Sequence, residues 1–277
     1  MVQSGCGVNR GPGEERPDPP KGPSFPNADS TGVPPGVDLR PYSGECTISV
    51  AQTVIDSAAI SCDPLVVKAA DVTIRNSETG RIDVDSPEAS LRVEDSLIDG
   101  GSARAPAIGY SNIYLLRVEI RGGQTSVLCS NCVVEQSWLH EQTPPVSDEH
   151  LGGYMSNGGS EVIIRGNAIE CSPVDNDLGG GCSGSAQIYG DFAPLSDYVF
   201  EGNLFKATPG AYCTNFGYNP QKQFGSTPAR ITVRGNVFER GVSGKCGSFG
   251  PVTGFLDSGG NTWADNRWDD GSPVSAR

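Results

Sequence analysis

The sequence predicts an all-β fold in which short parallel strands stack into a solenoid, a parallel β-helix of about eight coils. The 277 residues include 37 glycines and 21 prolines, about a fifth of the chain, and both residue types are unfavourable inside helices. A pattern of alternating apolar residues followed by a bend also recurs along the chain. Stacking of such units would place each strand beside its copy and bury a common interior.

The repeated pattern is weak in the first units, clear in the middle units and only partly retained in the last unit. Weaker copies occupy residues 91–98, 113–120 and 132–139, and the clearest occupy 162–169, 198–205 and 231–238, each with a Gly-Asn bend. The second apolar residue serves as a marker, and successive markers are 19, 22, 19, 30, 36, 33 and 30 residues apart. The markers are Ile74, Val93, Leu115, Val134, Ile164, Phe200, Val233 and Trp263. The longer later steps predict insertions. A propeller needs longer repeats than the 19-residue steps allow.

Two segments of different composition divide the chain. Residues 1–38 are rich in proline and glycine and lack apolar periodicity, so we expect a disordered linker or tether. Residues 39–277 are expected to form the strand domain, with functional loops around residues 138–230.

Charge and cysteine content limit the function classes. A net charge of −13 argues against nucleic acid as a partner, and no apolar run is long enough for a transmembrane segment. Nine cysteines favour an oxidising environment, and hence a secreted or cell-surface protein, which we expect to be a monomer. Cys6 has two interpretations, a lipidated cysteine or a free cysteine in the tail.

Local disulfides are the expected state of the paired cysteines. We predict the pairs Cys46–Cys62 and Cys171–Cys182, with Cys213–Cys246 as a third. Cys129 and Cys132 also form a Cys-x2-Cys motif, but with the two histidines it fits none of the usual zinc-site spacings.

The Gly-Asn strands, the opening segment 32–36 and the closing segments 259–263 and 266–270 resemble the secreted right-handed parallel β-helix proteins of actinobacteria, in the pectate-lyase-like superfamily. The resemblance covers roughly residues 30–273. It implies a right-handed coil and action on carbohydrate. It does not select an activity, because the superfamily includes lyases, hydrolases, epimerases and binding proteins.

The strongest candidate for chemistry is the segment Asp148-Glu149-His150. A histidine beside carboxylates can form a base with its orienting partner, or a cation site for Ca²⁺. The segment also resembles an Asp/His cluster of related β-helix enzymes. The alternative is a solvated acidic loop. His140 falls in the same insertion as His150, which favours a functional interpretation.

A second group of polar and aromatic residues suits sugar binding. Gln187, Tyr189 and Asp191 are two residues apart and would face one way on a strand, with Tyr212 as a neighbour one coil later. Lys222 is a candidate partner for a uronic carboxylate. Aromatic rings stack on the CH faces of sugars, and amides bind their hydroxyls.

These residues support three functions. In a polysaccharide lyase acting on a uronic-acid-containing glycan, His150 would be the base, Tyr189 the acid, and Lys222 or Ca²⁺ the group that neutralises the substrate carboxylate. In a hydrolase, Asp148 and Asp191 would be the paired carboxylates. In a non-catalytic cell-surface or glycan-binding module, the same residues would only bind polysaccharide or oligosaccharide, with Gln187, Asp191, Tyr212, Lys222 and His140 as ligand contacts.

Overall fold

The computed structural model describes residues 24–276, and this part of the chain consists of β-strands, turns and loops without a helix. Accordingly, no helix within residues 24–276 is long and apolar enough to span a membrane. Residues 1–23 of the predicted tether (residues 1–38), with Cys6, lie outside the described residues. The strands are β1 (Arg40–Pro41), β2 (Thr47–Ile48), β3 (Val54–Asp56), β4 (Ala58–Ile60), β5 (Leu65–Val67), β6 (Val72–Arg75), β7 (Glu78–Thr79), β8 (Ile82–Val84), β9 (Leu91–Glu94), β10 (Leu97–Asp99), β11 (Pro106–Leu116), β12 (Glu119–Arg121), β13 (Thr125–Glu135), β14 (Trp138–Leu139), β15 (His150–Ser156), β16 (Gly159–Arg165), β17 (Ala168–Ile169), β18 (Gly181–Ile188), β19 (Leu195–Glu201), β20 (Leu204–Phe205), β21 (Tyr212–Phe216), β22 (Ala229–Arg234), β23 (Val237–Phe238), β24 (Gly250–Thr253), β25 (Thr262–Ala264) and β26 (Arg267–Trp268).

The strands form two long parallel sheets that contain three rows of strands. Row one is the 10-stranded sheet β1-β4-β7-β10-β12-β14-β17-β20-β23-β26. Row two runs β2-β5-β8-β11-β13-β15-β18-β21-β24. Row three consists of β3-β6-β9 and β16-β19-β22-β25. Between these two parts, the 11-residue strands β11 and β13 belong to both rows and connect row three to row two. Along the chain, row two is followed by row three and then by row one, again and again.

The predicted register of the repeat is confirmed. In row three, Ile74 pairs with Val93, and the pairing continues through all eight marker residues to Trp263. Ile55 precedes Ile74 in the same register and adds one unit before the first marker. The strand pairs of the described residues are parallel, as stacking of repeated units requires.

Alternation of apolar residues explains how these short strands bury a shared core. In β9, Leu91 and Val93 are buried while the residues between and after them are not. Large aromatic side chains fill the core of the later units. They are Tyr154, Tyr198, Phe200, Phe205, Phe216 and Phe238.

The Gly-Asn bends support a ladder of buried asparagine side chains. The glycines before the asparagines have positive φ, for example +63° at Gly202, as the predicted bend requires. Asn203 Oδ1 accepts hydrogen bonds from the backbone and side-chain amides of Asn167, both at 3.0 Å, and Asn203 Nδ2 donates to Asn236 Oδ1 at 2.9 Å. The asparagine ladder consists of Asn167, Asn203, Asn236 and Asn266. In this way the bends of the last four units are joined to one another.

The cysteines of the described chain form four disulfides. The three predicted pairs, Cys46–Cys62, Cys171–Cys182 and Cys213–Cys246, are present. Cys129 and Cys132, for which no disulfide was predicted, form the fourth.

The last part of the predicted linker contacts the strands. Thr31 and Gly32 are buried, and the Gly32 amide donates a hydrogen bond to the Arg117 carbonyl oxygen at 3.1 Å. The packed part of the chain therefore begins before residue 39.

Candidate functional site

A cavity of about 360 Å³ lies on row two and contains four of the predicted site residues. They are His150, Tyr189, Asp191 and Lys222. Leu128 and Met155, which pair in register on β13 and β15, also line it. The remaining lining residues are Pro106, Gln124, Thr125, Asn157 and Ser183. We call this the first cavity.

Parallel stacking explains why these residues meet. His150 begins β15, Tyr189 directly follows β18, and Lys222 lies in the loop between β21 and β22. These strands are neighbours in row two, so side chains from successive units project beside one another. The backbone amide of Phe224 donates to the Gly190 carbonyl oxygen at 2.9 Å, which holds the Lys222 loop against the turn after Tyr189.

Tyr189 is held by a buried glutamine. Its hydroxyl donates to Gln187 Oε1 at 2.7 Å, and Gln187 Nε2 donates to the Ser183 carbonyl oxygen at 2.8 Å. Gly184 leaves room for this arrangement, because a Cβ there would overlap the Gln187 side-chain nitrogen. Burial raises the pKa of the Tyr189 phenol to about 12. The Tyr189 phenol therefore keeps its proton at neutral pH, which is the form that a general acid requires.

Lys222 and Asp191 form an ion pair in the cavity. The Lys222 ammonium lies 2.7 Å from Asp191 Oδ1 and 5.2 Å from the centre of the Tyr189 ring. Lys222 thus places a positive charge beside the Tyr189 ring, although the net charge of the chain is −13. Asp191 is the only carboxylate among the residues that line this cavity.

His150 presents a free imidazole to the first cavity. Its backbone carbonyl oxygen accepts a hydrogen bond from Gln124 Nε2 at 3.0 Å. The side chain is exposed, and its ring makes no hydrogen bond or ion pair with another residue between 24 and 276. The ring nitrogens are therefore available to a ligand.

The predicted roles of Asp148 and Glu149 do not agree with their positions. Asp148 is exposed in the loop before β15 and does not line the first cavity. Glu149 Oε2 accepts hydrogen bonds from the Val146 and Ser147 amides at 3.0 and 2.7 Å, and Glu149 Oε1 pairs with Arg104. Both oxygens of Glu149 thus already have partners, in its own loop and in Arg104 between β10 and β11. No group of three or more His, Cys, Asp or Glu side chains that could hold a metal ion occurs among residues 24–276.

His140 lies in a different part of the fold. It follows β14 in row one, is 3% exposed, and stacks on Trp138 with the ring centres 3.5 Å apart. His140 Nε2 lies 3.3 Å from Glu119 Oε1. Burial lowers the pKa of this imidazole, which favours its neutral form. His140 therefore does not line the first cavity and is separated from His150, with which it was grouped.

Gln187 and Tyr212 also differ from the prediction. Gln187 is 2% exposed and positions Tyr189 rather than facing the cavity. Its register partner one unit later is Asn215, and it contacts Tyr212 through the backbone, with Gln187 Nε2 donating to the Tyr212 carbonyl oxygen at 3.4 Å. The Tyr212 ring packs 6.1 Å from that of Phe249 and does not line the first cavity.

A second cavity of about 450 Å³ adjoins the first and shares Leu128 and Asn157 with it. Two exposed aromatic side chains, Tyr110 and Phe192, line it. The other lining residues are Cys129, Ser130, Ser156, Gly158, Gly159 and Ala193. Sequence analysis missed this cavity, although Phe192 directly follows Asp191.

Comparison of the chain with protein-family models, curated proteins and solved structures gave no match.

Proposed function

We propose that this protein is a secreted or cell-surface right-handed parallel β-helix that cleaves a uronic-acid-containing polysaccharide by β-elimination in the first cavity. Support for the coil is the recurrent order of row two, row three and row one. Four disulfides support an oxidising location. We expect the protein to act as a monomer.

One observation carries the proposed activity: an imidazole, a phenol and an ammonium line one cavity with a single carboxylate. β-Elimination from a uronide needs a base for the C5 proton, a cation for the carboxylate and an acid for the leaving oxygen. His150, Lys222 and Tyr189 respectively match these needs.

The proposed reaction runs as a proton transfer followed by bond cleavage. His150 removes the C5 proton while Lys222 stabilises the negative charge that spreads onto the substrate carboxylate. The electron pair then forms the C4–C5 double bond as the C4–O bond breaks. Tyr189 gives its proton to the leaving oxygen and recovers a proton from solvent, and His150 releases the C5 proton to solvent.

The hydrolase alternative has less support. A glycosidase of the usual type needs two carboxyl groups on either side of the scissile bond. Asp148 does not line the first cavity, and Asp191 is paired with Lys222.

Non-catalytic glycan binding is the second candidate. It is favoured by the partners that Tyr189 and Lys222 already have in Gln187 and Asp191. Side chains that already have partners suit a rigid binding surface, whereas catalysis requires Tyr189 and Lys222 to leave these partners and turn toward the substrate.

An absorbance assay separates the two candidates. The protein is incubated with pectin, alginate and hyaluronan, and the ultraviolet absorbance of an unsaturated uronide is followed. His150→Ala should lower turnover by a factor of about 10² or more, as expected for loss of a general base. Asp148→Asn is the matched control, because this exposed carboxylate lies outside the cavity. Binding of a glycan without new absorbance would instead establish the non-catalytic function.

A further inference from the structure

We propose that the two adjoining cavities bind consecutive sugars of different charge, a uronic acid in the first and a neutral pyranose in the second. The natural ligand would then be a heteropolysaccharide in which uronic acid alternates with a neutral sugar. This inference rests on the proposed function, because it takes the first cavity as the uronate site.

Continuity of the surface is the first support. Leu128 lines both cavities from β13, and Asn157 lines both from the turn after β15. Asp191, in the first cavity, and Phe192, in the second, are consecutive residues. A glycan that enters one cavity therefore reaches the other without leaving the surface of row two.

The second cavity has the chemistry of a neutral sugar site. None of its lining residues is charged. Phe192 is 80% exposed and Tyr110 is 44% exposed, so two aromatic rings face solvent at one place. A pyranose can stack its CH face on such rings, while Ser130 and Asn157 offer hydrogen bonds to its hydroxyls. Exposure of a large apolar ring is unfavourable in water, and a ligand that covers it would offset that cost.

Electrostatics at the Tyr110 end also disfavour a carboxylate. The pKa of the Tyr110 phenol is raised by burial and by the nearby charges of Asp83 and Asp85, against the opposing effect of Arg81. Two carboxylates and one cation thus act on Tyr110, and that cation, Arg81, is already paired with Asp83 at 2.8 Å. In the first cavity, by contrast, Lys222 and His150 face a single carboxylate, Asp191, which is paired with Lys222.

This contrast discriminates between polymers. A homopolyuronate would place one carboxylate in the cavity that contains Lys222 and the next in the cavity whose lining has no charged residue. An alternating polymer places its carboxylate only in the first cavity, and any N-acyl methyl group of the neutral sugar could pack on Phe192.

Calorimetric titration with defined oligosaccharides tests the proposal. Hyaluronan tetrasaccharide represents the alternating polymer, and tetragalacturonate and tetramannuronate represent the homopolymers. The alternating ligand should bind at least about tenfold more tightly, equivalent to about 1.4 kcal/mol. Phe192→Ala should weaken binding of the alternating ligand about fivefold or more and leave that of the homopolymers nearly unchanged. Phe249→Ala is the matched control, since Phe249 is 72% exposed and lines neither cavity.

The outcomes separate this inference from the proposed function. Homopolymers that bind as tightly as hyaluronan, or a Phe192→Ala effect no larger than that of Phe249→Ala, would overturn the alternating ligand. If homopolymer binding is then lost in Lys222→Met, the first cavity is still the uronate site, and only the assignment of the second cavity to a neutral sugar is wrong. If none of the three ligands binds, both proposals are wrong.

Discussion

The hydroxyl of Tyr189 donates a hydrogen bond to the side-chain oxygen of Gln187 at 2.7 Å, and Gln187 itself is buried. The pair fixes the phenol at the edge of the first cavity. Because the pKa of Tyr189 is raised to about 12, the phenol is still protonated at pH 10.0, the ordinary pKa of a tyrosine.

Removal of the Tyr189 hydroxyl should therefore affect turnover more than binding. We expect Tyr189→Phe to lower the elimination rate by about 10²-fold with a nearly unchanged Kd, since the ring remains. It should also cost about 1–2 kcal/mol of unfolding free energy, because the buried Gln187 oxygen loses its donor. Turnover, calorimetric affinity and urea denaturation measure the three effects. A variant with full turnover would remove Tyr189 from the mechanism.

Much of the fold follows from local sequence patterns. Ile164, Phe200 and Val233 are predicted to be in register because each occupies the same place in a strand-and-bend pattern, and the structure pairs them so. The alternation of apolar residues and the bends depend only on neighbouring residues, so they can be recognised in a single sequence. The Asn side chains of those bends also turned out to be the ladder that joins the units.

The site was predicted only in part, because its contacts depend on which row each residue joins. His150, Tyr189, Asp191 and Lys222 meet as expected, since they lie at or beside consecutive strands of row two. His140 is close to His150 in sequence, but His140 follows β14 in row one, whereas His150 begins β15 in row two of the next unit.

Strand register and distant residues explain the other differences. Tyr212 begins β21, whereas Gln187, near the end of β18, pairs with Asn215 three residues further along β21. Tyr110 and Phe192 come from separate units, so no sequence pattern links them.

The Lys222–Asp191 ion pair should give opposite effects when its two members are changed. Lys222→Met removes the cation and should weaken uronate binding by about tenfold or more. Asp191→Asn frees the ammonium and should keep or tighten uronate binding, most clearly at low ionic strength. Calorimetric titration at low and high salt measures both. Equal losses in the two variants would show that the pair acts as a structural unit rather than as a carboxylate site.

The pH dependence of stability should report on His140. Burial lowers the folded-state pKa of His140 below its ordinary value of 6.5, so the unfolded chain binds the proton more readily. The contribution of His140 is thus present above pH 6.5 and is lost as pH falls toward the lowered folded-state value. The difference in unfolding free energy between wild type and His140→Gln should shrink on acidification through this range. A difference that grows would mean that attraction of the imidazolium to Glu119 outweighs burial.

The asparagine ladder should contribute strongly to stability. Asn203→Leu keeps a similar side-chain volume but leaves the backbone and side-chain amides of Asn167 without their acceptor. We expect a loss of about 3 kcal/mol or more in unfolding free energy, measured by urea denaturation. Asn27→Ala, at an exposed asparagine outside the ladder, is the control and should change stability by less than about 1 kcal/mol. Comparable losses in both variants would argue against a special role for the ladder.

The four disulfides should be detectable and should differ in their contribution to stability. Mass spectrometry of an unreduced digest should find Cys46–Cys62, Cys129–Cys132, Cys171–Cys182 and Cys213–Cys246. Cys213–Cys246 spans 33 residues and Cys129–Cys132 spans 3. Because a longer loop loses more chain entropy on closure, replacing the first pair by serines should cost about 3.5 kcal/mol and replacing the second about 1.5 kcal/mol. Denaturation of both double variants tests the order. Free thiols in protein isolated from its native source would contradict the proposed oxidising location, and a reversed order would show that local packing outweighs loop entropy.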